Sequence, residues 1–204
     1  MRTLFLTLLF FPILSFSQNI NDTDIVKDYC KRVKEIDLEN KTNDEITYSL
    51  SQIAINLRYD HLESINSLKK EIKVANPDLT EKDLDKEFTI KLIESLVDNC
   101  ETYVQLTRNL MRACPKSNKT LEIVAKKIDS IIEQNQKLSY SEQLSAADNQ
   151  IFNIIVDNEK QVNKDYKDGF ADPKLADDVG IYILYNSKNY YKAYVLAGAI
   201  KMFN

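Results

Sequence analysis

The stretch from Thr80 to Cys114 constrains the fold more than any other part of the chain. Its apolar residues recur every three or four positions and cover more than one face of a helix. A helix that is apolar on several sides normally packs against neighbours on several sides. Thr80 and Asp83 resemble a capping box at its start, and Pro115 ends it directly after Cys114. We therefore predict a long central helix near residues 80–114.

The rest of the chain shows the same helical periodicity. Apolar stripes predict four further helices, near residues 21–40, 43–75, 117–138 and 139–162. Three glycines and four prolines in 204 residues suit long helices better than a sheet with many turns. We predict an all-α bundle of five to seven amphipathic helices, with residues 18–204 forming a single helical domain.

The C-terminal part, residues 173–204, leaves two interpretations open. Asp172 followed by Pro173 is a typical helix start, and the small side chains near the C-terminus favour helices. The aromatic and β-branched residues of 181–196 instead favour a β-hairpin. We predict two short helices, because the chain before them is helical.

The first 17 residues match a secretory signal peptide. Arg2 gives the positive start, Leu4 to Leu14 form a short apolar run, and Ser17 precedes the expected cleavage before Gln18. The run is about half the roughly 20 residues needed to cross a bilayer. We predict a cleaved signal and an exported protein, periplasmic or extracellular, with no lipid anchor because no cysteine stands at the cleavage point.

Charge and hydropathy narrow the classes of partner. The formal net charge of −4 argues against nucleic acid, which normally requires a concentrated basic face. The longest later apolar run, residues 194–203, is short and contains Lys201. We therefore predict no transmembrane anchor in the mature chain and no nucleic-acid partner.

Three cysteines in an exported chain allow one internal disulfide and one remaining thiol. If the first three predicted helices are antiparallel neighbours, a rise of about 1.5 Å per residue places Cys30 and Cys100 at nearly the same height. Cys114 would lie about 20 Å farther along the helix than Cys100, beyond the roughly 7 Å limit for bridging α-carbons. We predict a Cys30–Cys100 disulfide and a free Cys114; the alternative is three small buried apolar residues.

His61 is the only histidine, and the acids Asp60 and Glu63 lie beside it in the sequence. Adjacent residues on a helix point in different directions, so Asp60 and His61 do not converge. The chain has no zinc-binding spacing, phosphate loop or nucleophile elbow. We predict no catalytic, cofactor or metal site. The alternative is a hydrolase or metal-dependent enzyme assembled around His61 and distant carboxylates.

Five of the eleven tyrosines fall within one short C-terminal segment: Tyr182, Tyr185, Tyr190, Tyr191 and Tyr194. Tyrosine joins a broad apolar ring to a hydrogen-bonding tip, which suits recognition surfaces. This segment is therefore a candidate interaction surface. The simpler interpretation, which we favour, is that these rings close the end of the bundle.

The signal ending Ser15-Phe16-Ser17 before Gln18, the early Asp28-Tyr29-Cys30 and the later Asn99-Cys100 carry a resemblance over about residues 1–110. In these features the chain resembles small secreted flavobacterial proteins (Bacteroidetes) of unknown function. Those proteins often show Cys-x-Cys near the start and Asn-Cys-Pro later. Here position 28 is Asp, and Glu101 stands where the proline would be. The resemblance implies secretion but no activity.

The sequence thus predicts an exported, non-enzymatic helical protein that acts as an interaction or structural module of the cell envelope. Its expected partner is another protein or an envelope component. A further alternative is a carrier that holds a small apolar ligand inside the bundle.

Overall fold

The computed structural model describes residues 24–36, 41–111 and 113–203, so the predicted signal peptide lies outside the described residues. Within them the chain is all-α, which confirms the predicted fold class, and no strand occurs. The helices number ten there rather than five to seven. They are α1 Asp24–Lys34, α2 Asn43–Asp60, α3 Leu62–Ala75, α4 Glu81–Asn99, α5 Glu101–Asn109, α6 Lys119–Gln134, α7 Tyr140–Asp157, α8 Glu159–Asp165, α9 Leu175–Asn186 and α10 Lys188–Phe203.

The count rises because three predicted long helices break at a single residue. The breaks lie at His61, Cys100 and Asn158, each of which has a ψ angle outside the helical range. The break at Asn158 has a local cause, because its side-chain amide donates to the carbonyl of Ile154 at 2.7 Å and competes with the backbone ladder. At His61 and Cys100 the backbone N–H still donates to the carbonyl four residues earlier, at 2.9 Å in both cases.

The prediction of one continuous helix over residues 80–114 was wrong. α4 ends at Asn99, α5 ends at Asn109, and Cys114 lies beyond both in a segment without regular structure. Cys100 adopts φ −122° and ψ 84°, which is neither helical nor extended, and it separates α4 from α5 where its side chain is bonded to Cys30. The disulfide and the burial of Cys100 therefore outweigh the helical propensity of the residues around it.

The C-terminal segment forms two helices, α9 and α10, so the hairpin alternative is overturned. The prediction placed the start at Pro173, two residues before Leu175, because Asp172 caps a turn instead and accepts from the Lys174 N–H at 3.0 Å. The hydroxyl of Ser187 accepts from the Tyr190 N–H at 3.1 Å and so caps the start of α10. Capping and burial outweigh the strand propensity of the aromatic residues.

Capping boxes begin three of the helices, and the sequence predicted the one at Thr80. They pair Thr42 with Glu45, Thr80 with Asp83 and Ser139 with Glu142. In every box the hydroxyl accepts from the third helical N–H and the acid accepts from the cap N–H. These short motifs fix where α2, α4 and α7 begin.

Two hydrophobic cores lie side by side. The first is built by α1 to α5 and the second by α6 to α9, with Ala193 of α10 in it. α10 packs against α4 of the first core and against α6, α7 and α9 of the second. Its residues Tyr191, Leu196 and Ala197 are fully or almost fully buried. α10 therefore unites the two cores.

Candidate functional site

A disulfide joins Cys30 of α1 to Cys100 at the α4–α5 junction, with the α-carbons 5.7 Å apart. This confirms the predicted pairing, although the helices used to derive it are broken rather than straight. Cys100 is almost fully buried, whereas Cys114 is free and exposed. The crosslink ties the first helix of the described chain to the helix that faces the second core.

Around the histidine, four polar side chains meet in one network. His61 Nε2 lies 2.9 Å from Asp28 Oδ2, and Arg32 binds the same carboxylate through Nε at 3.1 Å and Nη2 at 2.7 Å. Arg32 Nη2 also lies 2.7 Å from Asp60 Oδ2. The prediction that Asp60 and His61 do not converge was wrong, because the helix breaks at His61 and both side chains bind neighbouring residues of α1. Glu63 is exposed on the first turn of α3.

This network joins α1 to the junction between α2 and α3. The guanidinium of Arg32, and then the ring of His61, hold the pKa of the Asp28 carboxyl below its usual value. Both carboxylate oxygens of Asp28 accept hydrogen bonds, from Arg32 and from His61. The carboxylate therefore holds α1 against the α2–α3 junction. Among the described residues, no three His, Cys, Asp or Glu side chains converge as a metal site would require.

The five C-terminal tyrosines do not form one surface. Tyr182 and Tyr191 are buried, so these two belong to the core rather than to an exposed recognition face. Tyr185 and Tyr190 are half-buried, and the Tyr190 hydroxyl donates to Asp148 at 2.8 Å. Tyr194 is the most exposed of the five, at 46 %. Their arrangement follows the interpretation that they close the bundle.

Tyr191 anchors α10 to α5 through two contacts. Its hydroxyl is hydrogen-bonded to Thr107, and the guanidinium of Arg108 lies 4.5 Å from its ring centroid. Burial lowers the pKa of Arg108, against the opposing effect of the Tyr191 and Tyr185 side chains. Its Nε is buried with no hydrogen-bond partner among the described residues. The cation–π contact offsets part of that desolvation.

Sequence reasoning missed one surface, which we call the α2 outer face and define by Tyr48, Ile55, Tyr59 and Leu62. These side chains are 66 %, 48 %, 75 % and 50 % exposed, respectively. At about 100° per residue the three within α2 fall in an arc of roughly 40°, and Leu62 continues the row at the start of α3. The row is about 20 Å long.

The inner side of α2 carries a second apolar stripe, made of Ile46, Leu50, Ile53 and Leu57. It lies roughly 180° around the helix from the α2 outer face and packs into the first core. Only Ile46 and Leu57 of this 18-residue helix are buried. Both stripes are visible on a helical wheel of residues 43–60, where the inner one has the stronger apolar periodicity of a core-facing side.

No helix in the described part of the chain is both long and apolar enough to cross a membrane. No protein-family model matches the chain, and comparisons with curated proteins and with solved structures found no match.

Proposed function

We propose that the chain is an exported, non-enzymatic interaction module of the cell envelope or the extracellular space. The observation that carries this proposal is the α2 outer face, where four large apolar side chains in one row are each about half exposed or more. Scattered exposed apolar residues are ordinary, whereas large apolar side chains aligned along one helical face are typical of an interaction surface. An apolar stripe on both sides of a helix is typical of a helix that lies between two packing partners.

Export is supported by the N-terminal pattern and by the crosslink. A disulfide between Cys30 and Cys100 persists in an oxidising compartment such as the periplasm or the exterior. Expression of the full chain in a Gram-negative host, followed by mass spectrometry of the N-terminus, tests this part. We expect the exported protein to begin at Gln18; retention of Met1 on a cytoplasmic product would contradict it.

Site-specific photo-crosslinking tests the interaction itself. A photoreactive phenylalanine analogue replaces Tyr48 or Tyr59 in the exported protein, and an identical analogue at exposed Lys127 of α6 serves as the control. We expect discrete crosslinked species from the two α2 positions and none from position 127. Equal, diffuse labelling from all three positions would show that α2 is not an interaction face.

A further inference from the structure

The α2 outer face carries charged residues as well as its apolar row. Asp44 lies in the first turn of α2 and Arg58 in the last. Both side chains are exposed, and neither forms an ion pair with the described residues. On a helical wheel both lie on the same flank of the apolar row. The same flank of the α2 outer face therefore carries an acid, Asp44, at its N-terminal end and a base, Arg58, at its C-terminal end.

This arrangement is self-complementary when two copies of α2 pack antiparallel. A twofold axis near Ser51 and Gln52 places Tyr48 of one copy beside Ile55 of the other, since these residues are equally distant from the axis. The same axis places Asp44 of each copy beside Arg58 of its partner, because an antiparallel twofold brings like flanks together. A parallel pairing would instead bring together the acidic starts of both helices, with Asp44 and Glu45 in each.

We propose that the α2 outer face is the twofold interface of a homodimer, in which α2 packs antiparallel on α2 of a second copy. The proposal rests on the proposed function and names its partner as the chain itself. A twofold interface uses the same patch on both subunits, so Tyr48 and Ile55 contribute apolar contacts from both copies. In this register Tyr59 lies at the height of the second copy's Asp44, and Leu62 lies beyond the start of the second copy's α2. The face is small beside the roughly 800 Å² per partner of a stable interface, so the dimer is weak and dissociates on dilution.

Analytical ultracentrifugation of the mature, oxidised chain over a range of concentrations tests the proposal. We expect a reversible monomer–dimer equilibrium. Ile55→Ser with Tyr59→Ser should weaken dimerisation by at least about ten-fold, because burial of these side chains supplies the association free energy. Phe152→Ser, which removes a 70 % exposed ring from α7, is the matched control and should leave the equilibrium unchanged.

A charge exchange tests the antiparallel register. Asp44→Arg and Arg58→Asp should each weaken the homodimer, because each places like charges in contact across the axis. The two variants mixed should form a heterodimer with both pairs restored, and the double variant should dimerise like the unmodified chain. Circular dichroism of each variant checks that the helices are retained.

Three outcomes would overturn the proposal: a monomer at all concentrations, a dimer insensitive to the serine variants, or no recovery by charge exchange. A monomer whose α2 positions still crosslink to a different protein would reject self-association and leave the proposed function standing. A monomer with no specific crosslink from α2 would reject both.

Discussion

Lys192 Nζ of α10 lies 2.8 Å from Asp98 Oδ2 of α4, which places an ion pair across the interface between the two cores. Glu94 lies 2.9 Å from the same ammonium and also accepts from the Tyr140 hydroxyl at 3.1 Å. Burial alone would lower the pKa of Lys192, but the hydrogen bonds to Asp98 and Glu94 outweigh it and raise that pKa. The two cores are thus joined by polar contacts on one partly buried cation.

Lys192→Met should therefore destabilise the fold by about 1–3 kcal/mol, because it leaves two neighbouring carboxylates without their shared cation. Urea unfolding followed by circular dichroism measures this loss. Lys188→Met is the control, since Lys188 is 65 % exposed and its Nζ lies 3.9 Å from Asp98. That variant should change the free energy of unfolding by less than about 0.5 kcal/mol. Equal losses from both would show that the interface does not depend on Lys192.

Removal of the disulfide should cost more than any single ion pair. Cys30 and Cys100 are 70 residues apart. Closing a loop of that length lowers the conformational entropy of the unfolded chain and so raises its free energy by about 4 kcal/mol. We expect the Cys30→Ala, Cys100→Ala double variant to lose about that much, measured by urea unfolding. Cys114→Ala removes the exposed free thiol and should have almost no effect. A similar loss from Cys114→Ala would contradict the pairing.

The sequence predicted those features that depend on local spacing. The capping box predicted at Thr80 is set by two residues three positions apart, and the boxes at Thr42 and Ser139, which were not predicted, have the same spacing. The Cys30–Cys100 pairing was also accessible, because it requires only that two residues reach a similar height. Small errors in helix length hardly change such a comparison of heights.

The helix breaks at His61 and Cys100 were harder to predict than the one at Asn158, because the contacts made at these two residues are tertiary. Nothing adjacent to His61 in the sequence shows that Asp28 of another helix will bind its ring, or that Arg32 will bind Asp60. Likewise, the burial of Tyr191 depends on Arg108 and Thr107, more than 80 positions earlier. The clustering of tyrosines indicated a candidate interaction surface in the C-terminal segment. Which of these rings are buried and which are exposed follows from packing.

Asp28 should make stability depend on pH in the acid range. The pKa of its carboxyl in the folded protein is below the ordinary value of 3.8, so the folded state favours the charged form. The stabilisation is fully present above pH 3.8 and is lost as the pH falls through the lower folded pKa. Asp28→Asn should reduce the free energy of unfolding by about 1 kcal/mol at neutral pH and by less in acid.

Urea unfolding at several values between about pH 6 and about pH 2 measures this dependence. Asp60→Asn is the control, because Asp60 touches only Arg32 in this network and its side chain is 52 % exposed. That variant should show a smaller loss at neutral pH. If Asp28→Asn left the difference from the unmodified chain constant across this range, the ion-pair account of the α2–α3 junction would be wrong.

Two glycines should respond to alanine with opposite signs. Gly169 follows α8 with φ +54°, where any other residue is strained, and an added Cβ would also collide with the Asn163 side chain. We expect Gly169→Ala to destabilise the fold by about 1–2 kcal/mol. Gly180 lies on the exposed side of α9 with open space around it, so Gly180→Ala should stabilise the fold by about 0.5–1 kcal/mol through helix propensity.

Thermal unfolding distinguishes the two glycine variants: the melting temperature should fall for Gly169→Ala and rise for Gly180→Ala. A fall for both would show that α9 does not tolerate a side chain at position 180, contrary to the open space around it.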